Sequence, residues 1–189
     1  MYLIGKQEQR LAKRLQDGDK TAAREFYTLY GDFLAGVCSR YIVDEEDLKD
    51  VFQDALVHIF THIVDFEYRG AGSLQFWATK VMVNQSLKFL RTKHRHAFVL
   101  LDFDIADEPK TEDPPVSDIP PDVIHQMVGQ LPIGYRTVFN LYVFENLSHR
   151  EIASLLGIKE SSSASQLHRA KNMLAQMIRE YYKNKQSRQ

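Results

Sequence analysis

Apolar residues recur every three or four positions along most of the chain, and the strict alternation typical of strands is almost absent. This period predicts helices over residues 7–16 and 20–42. It is clearest from Leu48 to Val64, where one side is apolar for nearly five turns and the other begins strongly acidic. A further helix is predicted from Ser73, as its N-cap, through Leu90. The pattern indicates an all-α fold.

A linker is predicted at residues 97–121, where the helical period stops and acids alternate with five prolines. Such a composition buries too little apolar surface to pack, so this segment should be a flexible acidic tether. The prediction divides the chain into two small helical domains, 1–96 and 122–189. In the second, helices are expected near 122–129 and from Pro132 through Phe144.

Residues 148–170 have the pattern of a helix-turn-helix. Ser148 and Glu151 form a capping box, and Gly157 is placed for the left-handed cap that ends a short helix. The serines at 161–163 are predicted to cap a longer second helix, whose buried stripe runs from Leu167 to Tyr181. Two short-linked helices of this kind are the geometry that reads DNA, and a helical hairpin without a ligand is the alternative.

Charge is sorted along the chain although the formal net charge is only -1. Five basic residues and no acid lie between Lys80 and Arg95, whereas six acids lie between Asp44 and Asp54. Basic runs suit nucleic acid and acidic runs suit a protein partner, and solvated helix faces are the alternative for each run.

Several classes of protein are disfavoured by what the sequence lacks. Cys38 is the only cysteine, so no intrachain disulfide or cysteine metal cluster is expected. His58 and His62 have helical metal-ligand spacing but lack the glutamate of a zinc hydrolase, so surface or packing histidines are favoured. No signal peptide, membrane span, phosphate loop or nucleophile motif is found, which predicts a cytoplasmic, non-enzymatic protein without a cofactor, membrane insertion or small-molecule substrate.

Taken together, these segments resemble those of bacterial RNA polymerase sigma factors. The stretch LPIGYRTVFNLYVFENLSHREIASLLGIKESSSASQLHRAKNML resembles the promoter-reading domain four of the sigma-70 family. DLKDVFQDALVHIFTHIVDF resembles the domain two helix that grips core polymerase, and FEYRGAGSLQFWATKVMVNQSLKFLR resembles the adjoining segment that reads the minus ten element. With only these two domains around an acidic joint, the chain resembles the extracytoplasmic-function (ECF) group.

The resemblance implies an alternative sigma factor that binds core RNA polymerase, reads the minus ten and minus thirty-five elements of promoter DNA, and melts it. The implied polymerase-binding residues are Asp50, Gln53, Asp54, Leu56 and Phe60. A partner that blocks these surfaces, an anti-sigma factor, is also implied.

Melting DNA requires aromatic side chains on which bases stack, a tight loop that holds an extruded base, and cations along the phosphates. Tyr68, Phe76 and Trp77 supply aromatic rings around the loop from Arg69 to Leu74. Because most aromatic residues on helices are core residues, we expect at least one of Phe76 and Trp77 to be buried. The predicted minus ten residues are Tyr68, Arg69, Gly70, Ala71, Gly72, Ser73, Leu74, Trp77, Lys80, Asn84, Lys88 and Arg91.

The reading helix departs from the family, which often has basic residues at the positions of Ala164 and Gln166. We therefore expect weak DNA binding by residues 120–189 alone. Gln166 is predicted to bond an adenine edge and the serines to meet phosphate or bases. The predicted minus thirty-five residues are Lys159, Ser162, Ser163, Ser165, Gln166, His168, Arg169 and Lys171. The rival hypothesis is a stand-alone regulator whose N-terminal helices sense or dimerise.

Overall fold

A computed structural model describes residues 5–93, 114–116 and 118–187, which fall into two compact units, Met1–Thr92 and Lys93–Gln189. The described residues contain helices and no strand, which confirms the predicted all-α class. The helices are α1 (Gly5–Gln16), α2 (Lys20–Ser39), α3 (Glu45–His62), α4 (Ser73–Lys93), α5 (Pro121–Gln130), α6 (Ile133–Val143), α7 (His149–Leu156) and α8 (Glu160–Gln186), with a 3-10 turn at Ile63–Asp65.

The first unit packs α1 to α4 around apolar side chains that the helical period places on their inner faces. Phe26 of α2, Ile59 of α3 and Met82 of α4 are fully buried. Asp19 caps α2 by accepting a hydrogen bond of 2.8 Å from the Thr21 amide. The Thr21 hydroxyl and the Arg14 guanidinium also donate to this carboxylate, and together these bonds lower the pKa of Asp19 well below its usual range.

The second unit packs α5, α6 and α7 against the long helix α8. Its core includes Met127, Leu131, Leu174 and Ile119, and Ile119 belongs to the segment predicted as linker. The acidic residues predicted at 102–113 lie outside the described residues. Arg136 is buried in α6, and its guanidinium donates to the carbonyls of Gly129 and Leu131, joining α6 to the end of α5. Burial lowers the pKa of this guanidinium.

The predicted caps of two helices are wrong. Helix α8 begins at Glu160, before the serines at 161–163, and its N-cap residue Lys159 makes no side-chain cap. Ser73 begins α4, but its hydroxyl accepts from the Arg69 amide at 3.2 Å, on the loop side. In both cases a serine matched the local pattern of an N-cap, but the helix begins at or before that serine.

Candidate nucleic-acid interfaces

An acidic, solvent-facing surface runs along α3. Asp44 caps the helix by accepting from the Asp47 amide at 3.0 Å, and the acids of the first turn suit the positive end of the helix dipole. Asp50, Gln53 and Asp54 are exposed on one face. Leu56 and Phe60 are only partly exposed, and the Phe60 ring packs edge-on against Phe26 at 5.6 Å.

Val57 adds an apolar side chain to this surface. It is 62% exposed and lies one turn beyond Gln53 and Asp54. Sequence reasoning passed over it because an apolar residue within an amphipathic helix is usually assigned to the core. Its position three and four residues after Asp54 and Gln53 places it on the acidic face of α3, and this spacing could have identified it from the sequence.

The loop at 69–74 makes a tight turn into α4. Gly70 and Gly72 have φ angles of 124° and 86°, which side chains with a Cβ rarely adopt. The Ser73 amide donates to the Gly70 carbonyl at 3.1 Å and closes the turn. Arg69 is exposed and pairs with Glu67 at 3.1 Å, and Ala71 is exposed at the tip. Leu74 is fully buried, so it supports the loop from below and has no surface to offer DNA.

Helix α1 holds this loop from the other side. The Glu8 carboxylate accepts hydrogen bonds from the backbone amides of Gly72 at 2.6 Å and Leu74 at 2.9 Å. The Tyr68 hydroxyl donates to the Gly5 carbonyl at 2.7 Å. Sequence reasoning missed Glu8 because nothing local distinguishes it from a solvated acid. Burial raises the pKa of Tyr30 to about 12, and the negative charge of Glu8 contributes to this shift.

Five of the predicted minus ten residues of α4 share one face. Trp77, Lys80, Asn84, Lys88 and Arg91 follow each other at spacings of three and four, as one side of a helix requires. All are exposed except Trp77, which is partly buried against the Phe66 ring at 5.5 Å. The helix therefore presents a continuous polar and basic stripe that begins beside the loop.

Phe76 lies beside this stripe and is 61% exposed. The Lys80 ammonium lies 4.5 Å from the centre of its ring, within the range of a cation–π contact. The prediction that Phe76 or Trp77 would be buried is wrong, since Phe76 faces solvent and Trp77 is only partly covered. The sequence placed Phe76 among the aromatic rings near the loop but not among the predicted minus ten residues, and its exposure makes it a candidate.

Helices α7 and α8 form the predicted helix-turn-helix. Ser148 and Glu151 make the complete capping box, in which the Ser148 hydroxyl accepts from the Glu151 amide at 3.3 Å and the Glu151 carboxylate accepts from the Ser148 amide at 2.8 Å. The Ser148 hydroxyl also donates to this carboxylate at 2.6 Å. These bonds lower the pKa of Glu151. Gly157 ends α7 in the left-handed region at φ 69°, and its amide donates to the Ala153 carbonyl at 2.9 Å.

The face that α8 turns to solvent differs from the one predicted. Ser163 and Gln166 are buried, with 0% and 1% of their surface exposed. Neither can bond a base or phosphate in this fold, so both are removed from the candidate set. The remaining predicted minus thirty-five residues keep exposed surface: Lys159, Ser162, Ser165, His168, Arg169 and Lys171.

The buried phase of α8 explains this correction. Ser163, Gln166, Leu167, Ala170, Leu174 and Ile178 follow the three-and-four spacing of one inward stripe. The sequence contained this signal, because continuing the apolar stripe backwards from Leu167 and Ala170 leads to positions 163 and 166. Their polar side chains instead favoured an outward assignment.

Comparison with known proteins identifies both units. The profile described as Sigma-70 region 2 matches residues 26–96, and the profile described as Sigma-70, region 4 matches residues 122–174. The chain belongs to the sigma-70 family. This sigma factor thus has the two expected regions in the expected order, and each region falls largely within one of the two helical units.

Relatives of similar length place the sigma factor in the ECF group. It is 26% identical to the RNA polymerase sigma-H factor of Pseudomonas aeruginosa, over 91% of this chain and 94% of that protein. It is 25% identical to the ECF RNA polymerase sigma-E factor of Haemophilus influenzae, over 90% and 95%. A solved structure, of CnrH in complex with the cytosolic domain of CnrY, matches with 20% identity and a TM-score of 0.48, over 89% of this chain and 94% of that one.

The described residues carry neither a candidate membrane span nor a cluster of metal ligands. None of their helices is long and apolar enough to span a membrane. Within the same ranges, no three His, Cys, Asp or Glu side chains lie together as metal ligands would.

Proposed function

We propose that this sigma factor grips core RNA polymerase with the exposed face of α3, reads and opens the minus ten element with the 69–74 loop and α4, and reads the minus thirty-five element with α8. The observation that carries this proposal is the continuity between the loop and the exposed stripe of α4. An aromatic ring, an amide and three cations there face solvent next to a tight turn, as single-strand binding requires.

The polymerase contact is supported by the charge and exposure of α3. Asp50 and Asp54 are exposed carboxylates on one face, and Val57 adds an exposed apolar side chain one turn further along the same face. A charged rim around an apolar contact is the usual composition of a protein interface. Leu56 and Phe60 contribute only the edges that remain exposed.

An anti-sigma protein is the second partner in this proposal. Helix α2 carries exposed Tyr27 and Phe33, and the Tyr27 ring meets Phe52 of α3 at 6.4 Å. Exposed apolar side chains next to the polymerase face would let one protein cover both helices. Such a partner would compete with core polymerase for the sigma factor.

Run-off transcription tests the central claim. Core polymerase from the source bacterium is incubated with genomic fragments, with and without the full chain. Specific start sites that require the protein support the proposal. Absence of start sites together with absence of co-elution with core polymerase would favour the stand-alone regulator instead.

Charge reversal tests the assigned polymerase face. Asp54→Lys is expected to weaken core binding at least about tenfold in a fluorescence titration, as loss of a complementary charge and gain of a repulsive one would do. Asp17→Lys is the matched control, since Asp17 is an exposed acid after α1 that pairs with Lys13 at 2.9 Å. Equal affinities for the two variants would argue against the α3 assignment.

A further inference from the structure

We infer that Glu8 is a positioning residue for promoter reading: its buried carboxylate fixes the backbone of the 69–74 loop in the conformation that discriminates the minus ten base. This inference rests on the proposed function of the loop. It adds helix α1, which carries none of the predicted site residues, to the machinery that determines base specificity.

The contact is specific in its geometry. Only 1% of Glu8 is exposed. One carboxylate oxygen accepts from the Gly72 amide at 2.6 Å, and the other accepts from the amides of Leu74 at 2.9 Å and Gln75 at 3.3 Å. A single side chain thus binds the last part of the loop and the first turn of α4 together.

These amides have no alternative partner in the local sequence. The first turn of a helix leaves its N–H groups without intrahelical acceptors, and a capping side chain or an acid of the same turn usually satisfies them. The first turn of α4 contains no acid, and the Ser73 hydroxyl is directed to the Arg69 amide. Glu8, more than sixty residues earlier, supplies the negative charge that the helix itself lacks.

A second bond fixes the other side of the loop. The Tyr68 hydroxyl donates to the Gly5 carbonyl at 2.7 Å. A larger residue at position 5 would crowd this bond, because its Cβ would lie only 2.6 Å from the Tyr68 hydroxyl. Because Gly5 and Glu8 are one turn apart on α1, the helix holds the chain both before and after the two glycines of the loop. The loop is therefore preorganised, and a flexible loop would lose discrimination between bases.

The bonds to Glu8 also restrict how DNA is read. The amides of Gly72, Leu74 and Gln75 are occupied, so they cannot donate to a base or phosphate while Glu8 stays in place. Base discrimination must then come from the exposed side of the turn at Arg69 and Ala71 and from the stripe that contains Asn84.

The test compares Glu8→Gln with Glu25→Gln in the full chain. Glutamine nearly matches the shape of glutamate but directs an NH2 group at one set of amide donors. Glu25 is a matched control, since it is an exposed acid of the same unit that bonds Arg14 at 2.6 Å and lies outside the proposed interfaces. Each variant is assembled with core polymerase and assayed by run-off transcription on two templates. The first is a promoter mapped with the wild type, and the second is the same promoter with the extruded base of the minus ten element substituted.

The decisive quantity is the ratio of transcripts from the two templates. Glu8→Gln should lower this ratio by roughly tenfold, the size of one base contact, while core affinity stays within about twofold of wild type. Glu25→Gln should keep the wild-type ratio. The ratio does not depend on the folded fraction, so a merely structural role would lower both transcripts together and leave it unchanged.

A binding measurement and a second variant accompany this test. Trp77 is the only tryptophan and lies on α4 beside the loop, so its fluorescence can follow binding of a single-stranded minus ten oligonucleotide. Glu8→Asp keeps the charge but shortens the side chain, and an intermediate ratio is expected. An unchanged ratio in both Glu8 variants would overturn the inference, whereas wild-type protein without promoter-specific transcripts would refute the proposed function itself.

Discussion

His149 Nδ1 lies 3.0 Å from the Ser163 hydroxyl, which joins the first helix of the helix-turn-helix to the reading helix. The imidazole also stacks on the Tyr142 ring of α6 at 4.9 Å. His149 of α7 therefore contacts both α6 and α8. Ser163, predicted to meet DNA, acts instead as an internal contact of the second unit.

Ser163→Ala should lower the free energy of unfolding by about 1 kcal/mol, the usual net contribution of one hydrogen bond. Urea denaturation of the full chain, followed by circular dichroism, measures this change. Ser165→Ala is the control, because Ser165 is exposed on the same helix and alanine is the better helix former there. A Ser163→Ala protein as stable as this control would show that the contact contributes nothing.

Gln166→Met should keep or raise stability and leave promoter binding unchanged. Gln166 Oε1 is buried without a hydrogen-bond partner in the described residues, and an unsatisfied buried acceptor costs about 1–3 kcal/mol. Methionine has a similar length and removes that cost. Thermal denaturation and a gel shift on promoter duplex with the polymerase present test both parts. Loss of DNA binding in a fully folded variant would restore the adenine contact predicted from sequence.

Stability of the second unit should depend on pH through Glu151. Its bonds to Ser148 lower its pKa, so the folded state holds a carboxylate that the unfolded state protonates more readily. The stabilisation is present above the ordinary pKa of 4.5 and is lost as pH falls below it through the folded value. The difference in melting temperature between wild type and Glu151→Gln should be largest near neutral pH and narrow in acid. Glu180→Gln, at an exposed acid of α8, is the matched control variant.

Phe76→Ala should weaken binding of the single-stranded minus ten element by about five- to 150-fold, since stacking of a base on an aromatic ring is worth roughly 1–3 kcal/mol. Its effect on stability should be small because the ring is mostly exposed. Fluorescence anisotropy with a labelled oligonucleotide and saturating core polymerase measures the affinity. Phe33→Ala, an exposed phenylalanine of α2, is the control and should bind the oligonucleotide as wild type does.

Local signals predicted most of the fold. The capping box at Ser148 and the glycine at 157 act within a few residues, and helix α7 begins and ends where they indicate. The long apolar period likewise placed Val51, Ala55 and Ile59 on the buried side of α3. Such features are encoded in short segments, so a single sequence contains them completely.

The site was predicted less completely because parts of it depend on distant contacts. Glu8 acts on amides more than sixty residues away, and no periodicity connects the two segments. Phe76 and Gln166 each lie in the environment opposite to the one that their polarity suggests, since the aromatic ring of Phe76 is exposed and the amide of Gln166 is buried. In both cases the phase of the helix decided the outcome against the polarity of the side chain.

The bonds between α1 and the 69–74 loop affect how a minimal promoter-reading fragment should be designed. The region 2 profile begins at residue 26, after the whole of α1. A fragment cut at that boundary would keep every proposed minus ten residue but would lack the carboxylate at position 8, leaving the start of α4 uncapped. Such a fragment should bind single strands with little preference for sequence, and adding residues 5–25 should return selectivity without adding any group that touches a base.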